Sequence, residues 1–187
     1  MSSDYGVDWG SLRTSHGVGV DPGLIRALLY APDAGSGGRA SDQLEGLAFY
    51  SRYLEEAALP VTRVLVDAVC NGECTYWGTV YATDALVEIT CSHTSAGRTD
   101  LPDRCRAVVR AHLPCLYRMA DDETTDDTVL SSLIIIVHNT EDDAPTRRVF
   151  LERLSHRDLD VLSADEVNRQ LAKEHQRQEK EEKEGQA

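Results

Sequence analysis

The sequence predicts an α+β fold, with helices packed on a small, mainly antiparallel sheet. Three observations support this prediction. Apolar residues recur at helical spacing after Ser41, β-type residues are concentrated between residues 75 and 94, and an apolar run at Leu133 to Val137 includes three isoleucines. Separate runs of helix and strand are typical of α+β proteins.

The first helix is predicted to begin near Ser41 and Asp42, which are good N-caps. Pro60 should kink or split it, because proline disrupts a helix interior. The sequence Cys-Asn-Gly at residues 70–72 is a plausible stop, since Asn and Gly tolerate positive φ.

Residues 85–91, with the sequence ALVEITC, are interpreted as a strand because they alternate partly, and a helix is the competing interpretation. A second helix is predicted over Leu101 to Met119, with proline at its start. A third should begin at Ser163, where Ser163 and Glu166 have the spacing of a capping box.

A β-hairpin is predicted at residues 133–152. The five apolar residues of Leu133 to Val137 form too short a run for a typical buried helix and suit a strand covered on both faces. A second β-type run, Arg148 to Leu151, follows an acidic turn that contains proline. The run at 133–137 is therefore expected to be a central strand.

Three regions are expected along the chain. Residues 1–40 hold eight of the thirteen glycines and are expected to be a flexible leader. Residues 41–172 are expected to form the α+β domain. Residues 173–187 have no apolar face and are expected to be a charged, solvated tail.

Composition excludes several classes of function. The formal charge of -13 repels phosphate, so direct nucleic-acid binding is disfavoured. No apolar run approaches the roughly 20 residues that a membrane span needs. The five cysteines are odd in number and follow no signal peptide, which favours a reduced intracellular compartment, the nucleus or cytoplasm.

No catalytic constellation is evident, so we expect a protein that is not an enzyme and uses no cofactor. The six histidines are scattered. Cys70, Cys74, Cys91 and His93 would suffice in number for zinc, but their spacing lacks the tight CxxC form. Buried small apolar cysteines are the more common case, and we expect no metal site.

The predicted hairpin resembles the signature hairpin of HORMA-domain proteins, in which a Val/Ile-rich strand is followed by an Arg, an aromatic residue and an acidic strand end. Further segments are similar, and the whole is most like the HORMA accessory subunit of DNA polymerase zeta. These segments are RYLEEA at 52–57, YATDALVEITC at 81–91, LPDRCRAVVRAHLPCLYRMADD at 101–122 and SADEVNRQL at 163–171.

The resemblance implies a HORMA-like domain of three helices on a small sheet. Its function would be non-enzymatic: an adaptor that binds a partner peptide or a second HORMA domain, in DNA repair by translesion synthesis or in cell-cycle checkpoint signalling. Homodimers and heterodimers are both compatible with it. The family's C-terminal safety belt, which wraps over a bound peptide, is expected to be missing, because about 35 residues follow the hairpin.

Four residues are candidate partner contacts. Trp77 and Tyr81 share one face whether their segment is a helix or a strand, and a core role for both competes with a binding role. Arg148 and Phe150 lie in the second strand of the predicted hairpin.

Two alternatives from other classes stay open. Residues 70–80, CNGECTYWGTV, resemble the Trp-Gly motif of the Bcl-two apoptosis regulators, which are helical proteins with a peptide groove. Thr79 stands where that motif has Arg, and the second Trp-containing motif is absent. A small zinc-containing enzyme is the other alternative.

Overall fold

The computed structural model describes residues 5–14, 17–95 and 99–184. These residues form a mostly helical α+β structure with small sheets. The chain divides into two compact units, residues 1–113 and 114–187, a boundary that falls inside the domain predicted at 41–172. Nine α-helices occur within the described residues, more than the three predicted.

The first unit contains five complete helices and all of the strands in the described residues. The elements are β1 (Arg13–Thr14), β2 (Gly17–Val18), α1 (Pro22–Leu29), α2 (Ala34–Ala48), β3 (Phe49–Tyr50), β4 (Tyr53–Leu54), α3 (Ala58–Cys70), α4 (Tyr76–Thr90), β5 (Thr94–Ser95) and α5 (Leu101–Arg110). After a short 3₁₀ helix, Trp9–Ser11, the strands β1 and β2 pair as an antiparallel ribbon. A three-stranded mixed sheet has the order β3-β4-β5, in which β4 and β5 are parallel.

The prediction of a flexible leader is wrong for residues 22–40, which form α1 and the start of α2. Asp21 and Asp33 cap these helices, since their side chains accept hydrogen bonds from Gly23 N at 2.8 Å and Ser36 N at 2.7 Å. The apolar side of α1 is fully buried. Residues 1–4 and 15–16 of the predicted leader lie outside the described residues.

The glycines of α2 allow close packing against α4. A Cβ at Gly37 would lie 2.3 Å from Cδ2 of Tyr81, and the Tyr81 hydroxyl donates a hydrogen bond to Ala34 O at 2.9 Å. At Gly78, the first turn of α4, a Cβ would lie 1.9 Å from Leu29 O. Gly37 and Gly78 therefore permit contact between helices and do not mark a linker.

The prediction that the first helix begins near Ser41 and Asp42 is wrong, because both lie inside α2, which Asp33 caps. The helix is also shorter than predicted. It ends at Ala48, and the β3–β4 hairpin follows, with Phe49 opposite Leu54 and Tyr50 opposite Tyr53. Its two turn residues, Ser51 and Arg52, have positive φ values of 47° and 67°. The chain then re-enters a helix at Ala58, so Pro60 lies in the first turn of α3, where proline is tolerated.

The strand interpretation of residues 85–91 is wrong, and the competing helix is correct. Residues 85–90 belong to α4, and Cys91 is its C-cap. Helix α4 packs against α1, α2, α3 and α5, so more than one of its faces is buried. This explains why the apolar residues of the segment do not repeat with a clear helical period. Ala85, Leu86 and Ile89 are all buried.

The second unit consists of helices. Its element α6 (Leu113–Asp121) begins at the unit boundary, and α7 (Asp127–Thr140), α8 (Ala144–Ser155) and α9 (Val161–Glu184) follow. The long helix α9 packs against both α7 and α8. The predicted second helix, 101–119, is thus two helices, and the predicted third begins two residues before Ser163.

The β-hairpin predicted at 133–152 is wrong, because both of its strands are helical. The apolar run Leu133 to Val137 lies in the middle of α7, which Asp126 caps by accepting a hydrogen bond from Thr128 N at 2.8 Å. This helix is buried on nearly every side, so its apolar residues are consecutive, not periodic. Its buried residues are Val129, Leu130, Ser132, Leu133, Ile134, Ile136, Val137, His138 and Thr140.

The prediction that residues 173–187 bury nothing is also wrong in part. Residues 173–184 continue α9, and Glu174 is buried. All three lysines of the chain, Lys173, Lys180 and Lys183, lie on this helix, and each is exposed. Residues 185–187 lie outside the described residues.

Candidate functional site at the start of α8

Helix α8 presents two different faces. Arg147, Phe150, Leu151 and Leu154 are buried at the i, i+3, i+4 and i+7 spacing of a helix. On the other side Val149 is 58% exposed. Two surface cavities flank the first turns of this helix, and both are lined by Pro145.

The first, here called the apolar cavity, has a volume of about 350 Å³. Phe150 packs edge-on against Tyr117, with ring centroids 5.0 Å apart, and the Arg153 guanidinium lies 5.9 Å from the Phe150 ring centroid. Its charged rim is the pair of Arg153 and Asp121, joined at 2.9 Å. The lining includes Tyr117, Pro145, Thr146, Val149, Phe150 and Arg153.

The second, here called the arginine cavity, has a volume of about 280 Å³. It lies between α8 and α9, which are bridged there by a hydrogen bond from Arg148 Nη1 to Gln178 Oε1 at 3.2 Å. Three guanidinium groups and a single carboxylate contribute to it. The lining includes Pro145, Arg147, Arg148, Glu174, Arg177 and Gln178.

A buried ion pair fixes α8 against α9. Arg147 donates two hydrogen bonds to Glu174, from Nε to Oε1 at 2.9 Å and from Nη2 to Oε2 at 2.8 Å. Both side chains are less than a tenth exposed. Arg147 Nη1 also donates to the backbone oxygen of Glu141. This bidentate geometry holds the guanidinium in one orientation and satisfies most of its donors.

The hydrogen bonds extend from this pair to α6. Glu141, at the end of α7, accepts a hydrogen bond from the Tyr117 hydroxyl at 2.7 Å, and its other carboxylate oxygen accepts one from Asp143 N at 2.9 Å. Tyr117 in turn forms one wall of the apolar cavity. The same network therefore orients side chains in both cavities.

His138 also belongs to this network, since its Nδ1 lies 3.5 Å from Glu174 Oε1. The surroundings shift the pKa values of three groups of the network away from neutral pH. Burial lowers the pKa of His138 to about 4. Burial raises the pKa of Glu174, but the hydrogen bonds and charge of Arg147 outweigh it and hold that pKa below its usual value. Burial, followed by the hydrogen bond to Glu141, raises the pKa of Tyr117. The hydrogen bonds of the network hold the side chains of Arg147, Glu174 and Tyr117 in defined orientations.

The structure divides the four predicted contact residues between the two units. Arg148 lines the arginine cavity and is exposed enough to contact a partner. Phe150 is only 2% exposed, and it forms part of the lining of the apolar cavity. Both lie in the second unit.

Trp77 and Tyr81 lie in the first unit, on helix α4. Both are half-buried on α4. Tyr81 lies over Gly37 and Gly38, and Trp77 is next to Tyr81 and Tyr76, with ring centroids 6.4 Å and 4.9 Å away. Tyr81 is thus in contact with α2, while the binding and core roles of the two residues both stay predictions.

Several residues of the cavities were not predicted. They are Tyr117, Val149, Arg153, Glu174 and Arg177. A helical signal was present in the sequence from Arg147 to Leu154, since Phe150, Leu151 and Leu154 follow Arg147 at three-, four- and seven-residue steps. That pattern would have placed Val149 outside the buried face.

Two searches of the described residues gave no site of another kind. Among residues 5–14, 17–95 and 99–184, no three His, Cys, Asp or Glu side chains are grouped so that they could hold a metal ion. Over the same ranges, none of the helices combines the length and the apolar character needed to cross a membrane.

Comparisons with family models, with curated proteins and with solved structures give no match to this chain.

Proposed function

We propose that this protein is a non-catalytic interaction module that binds a segment of a partner protein at the apolar cavity of α8. The observation that carries the proposal is the exposed Val149 at the rim of a cavity that also includes Phe150 and Tyr117. Apolar side chains that converge on a concave surface are typical of binding sites for partner side chains.

The charges around the cavity suggest the chemistry of the partner. Arg148 and Arg153 lie on either side of Val149 along α8, at one residue before it and four after it. The second unit as a whole is acidic, with ten Lys and Arg against eighteen Asp and Glu. Both arginines already have exposed acidic partners, Asp121 for Arg153 and Glu152 for Arg148. The acidic side chain of a partner segment would bind these guanidiniums in exchange for those weak pairs, next to the apolar side chain that enters the cavity.

The HORMA relationship supplies no part of this argument, because the residues of its hairpin form α7 and α8. The fixed protonation of Glu174, His138 and Tyr117 supports a non-catalytic role, since none of the three titrates near neutral pH.

The test is selection of displayed peptides on the full chain, followed by affinity measurement with two matched variants. Val149→Glu should weaken binding by about tenfold or more, because it places a charge at an apolar contact and repels an acidic segment. Val161→Glu is the control, since Val161 is 75% exposed, lies in the same unit and does not line the cavity.

Enrichment of peptides with an apolar residue beside an acidic one would support the proposal, provided that only Val149→Glu weakens them. A selection that yields no binders, or binders equally sensitive to both substitutions, would refute it. Both positions are exposed, so both variants should keep the circular-dichroism spectrum of the wild type.

A further inference from the structure

We propose that the arginine cavity binds a phosphomonoester group, carried as a phosphorylated side chain by the same partner segment. This inference rests on the proposed function for its source of phosphate, but the binding of the phosphoryl group depends on different residues. The relevant side chains are Arg147, Arg148 and Arg177, with Glu174 as the one carboxylate in the lining.

The arrangement leaves a local excess of positive charge. Glu174 is shared, because it accepts two hydrogen bonds from Arg147 and a third from Arg177 Nη1, at 3.1 Å. A single carboxylate cannot neutralise both guanidiniums. Arg148 adds a third positive charge from α8. The lining therefore carries two more positive than negative charges.

Two acidic residues of α8 and its N-cap, Glu152 and Asp143, do not remove this excess. Glu152 lies one turn further along α8, 3.4 Å from Arg148 Nε, in a pair whose side chains are about half exposed. Such exposed pairs are weak because solvent screens them. Asp143 is occupied at the N-terminus of α8, where it accepts a hydrogen bond from Thr146 N at 2.9 Å.

A phosphomonoester fits this excess better than a carboxylate does. It carries about -1.5 to -2 charges at pH 7 and has three acceptor oxygens, whereas a carboxylate carries one charge and two oxygens. Arg148 and Arg177 approach from two different helices, and arginine is well suited to such an anion because its planar fork can donate two parallel hydrogen bonds.

The ion pair of Arg147 and Glu174 supports this role without being its main contact. Arg147 is committed to Glu174 and to the Glu141 backbone, so its position is fixed. Glu174 is thereby held in place and orients Arg177 through their hydrogen bond. A site whose charged groups are oriented before the ligand arrives loses less conformational entropy on binding.

The cavity also lies at the correct place for a second contact of the partner. Pro145 lines both cavities, so a segment whose apolar side chain enters the apolar cavity passes close to the arginine cavity. Phosphorylation next to the apolar residue would then strengthen binding. We expect the phosphorylated form of a selected peptide to bind about tenfold more tightly than the unphosphorylated form.

The first experiment uses inorganic phosphate and the full chain. Arginine Nε–Hε resonances are followed during titration with phosphate, and separately with acetate at matched ionic strength and pH 7. The Arg148 and Arg177 resonances should shift and saturate with phosphate, with an affinity about fivefold or more above that for acetate. Equal responses to both anions would refute the preference for phosphate.

The matched variants are Arg177→Gln and Arg169→Gln. Both arginines lie on α9, are more than half exposed and pair with a glutamate three residues earlier, but only Arg177 lines the cavity. Arg177→Gln should weaken phosphate binding about fivefold or more, and Arg169→Gln should leave it within about twofold. A similar loss in both variants would indicate general screening and would refute the site.

The second experiment separates this inference from the proposed function. Peptides selected on the full chain are synthesised with and without phosphoserine beside the apolar residue and tested against Val149→Glu and Arg177→Gln. Loss of the phosphate-dependent gain only in Arg177→Gln supports the inference. Peptide binding that depends on Val149, with no gain from phosphate, refutes the inference and leaves the proposed function standing. Phosphate binding that depends on Arg177, without binding of any peptide, supports the phosphate site and refutes the proposed function.

Discussion

The close contact between α2 and α4 predicts opposite effects for two neighbouring glycine substitutions. Gly35 and Gly37 both lie near the start of α2. A Cβ at Gly35 would meet only ordinary van der Waals neighbours at 3.5 Å, whereas one at Gly37 would lie 2.3 Å from Cδ2 of Tyr81. Gly37→Ala should destabilise the first unit, and Gly35→Ala should not.

The expected magnitudes follow from these contacts. Alanine in place of glycine in a helix is worth about 0.5–1 kcal/mol, so Gly35→Ala should stabilise by up to that amount. At Gly37 the overpacking against the Tyr81 ring should cost about 1–3 kcal/mol. Displacing that ring also removes the hydrogen bond to Ala34, which contributes about 1 kcal/mol. The net loss for Gly37→Ala should therefore be about 1–3 kcal/mol.

Urea unfolding followed by tryptophan fluorescence measures this difference. The chain has two tryptophans, Trp9 and Trp77, and both lie in the first unit. The fluorescence change therefore reports the unit in which the substitutions are made. The free energy of unfolding is obtained by linear extrapolation for the wild type and for both variants.

A double-mutant cycle with Tyr81→Ala tests the cause. Without the Tyr81 ring, Gly37→Ala should become neutral or stabilising by up to about 1 kcal/mol, because only helix propensity remains. If Gly37→Ala costs the same with and without the ring, the close contact is not the reason for the glycine, and the reasoning is refuted.

Three further predictions concern buried charge and backbone strain. Because burial lowers the pKa of His138 to about 4, the unfolded chain takes up a proton between about pH 6.5 and 4 that the folded chain does not, so stability should fall as pH drops through this range. His138→Gln should remove up to about 3 kcal/mol of that fall in urea melts followed by circular dichroism; an unchanged pH dependence would contradict this. Glu174→Gln should lower the free energy of unfolding by about 3–5 kcal/mol, because it removes the charge that pairs with the buried Arg147. Glu179→Gln, at an exposed position of the same helix, is the control and should change that free energy little. Equal losses in the two variants would be evidence against the buried pair. Arg52→Gly should stabilise the first unit by about 0.5–1 kcal/mol in thermal melts, since Arg52 has a φ of 67°, and a loss of stability would show that its side chain contributes more than the strain costs.

Local signals in the sequence located several helix ends well. The Cys-Asn-Gly stop matches the end of α3 at Cys70, where Gly72 has a φ of 67°. The proline start at Leu101 matches the beginning of α5. These features depend on backbone chemistry within a few residues, which a single sequence displays directly.

The larger errors came from features that depend on tertiary contacts. A run such as Leu133 to Val137 suits a buried strand or a helix covered on every side, and composition alone does not separate them. Gly37 and Gly38 of α2 indicate a linker until Tyr81 is placed against them. Likewise, the charged segment that includes Glu174 looks solvated until Arg147 is brought opposite it, 27 residues away in sequence.

The candidate site was predictable only in part. Arg148 and Phe150 were identified by their place in a hairpin that does not exist, yet both line cavities beside α8. The role of Val149 follows from its position outside the buried face, and that face is defined only once residues 144–155 are known to be helical. The arginine cavity combines residues from two helices, which no local pattern in the sequence brings together.

The distribution of side-chain amines has a practical and a biological consequence. Sixteen of the nineteen basic residues are arginine, and the three lysines all lie on α9. Enzymes that acylate or ubiquitinate lysine therefore have one helix as their target, and the side-chain amines open to amine-reactive dyes and cross-linkers lie on the same helix. Helix α9 also forms one wall of the arginine cavity. A dye or acyl group on a lysine of α9 would therefore report on, or interfere with, ligand binding in that cavity, and lysine-directed modification would not change the side chains of α1 to α8.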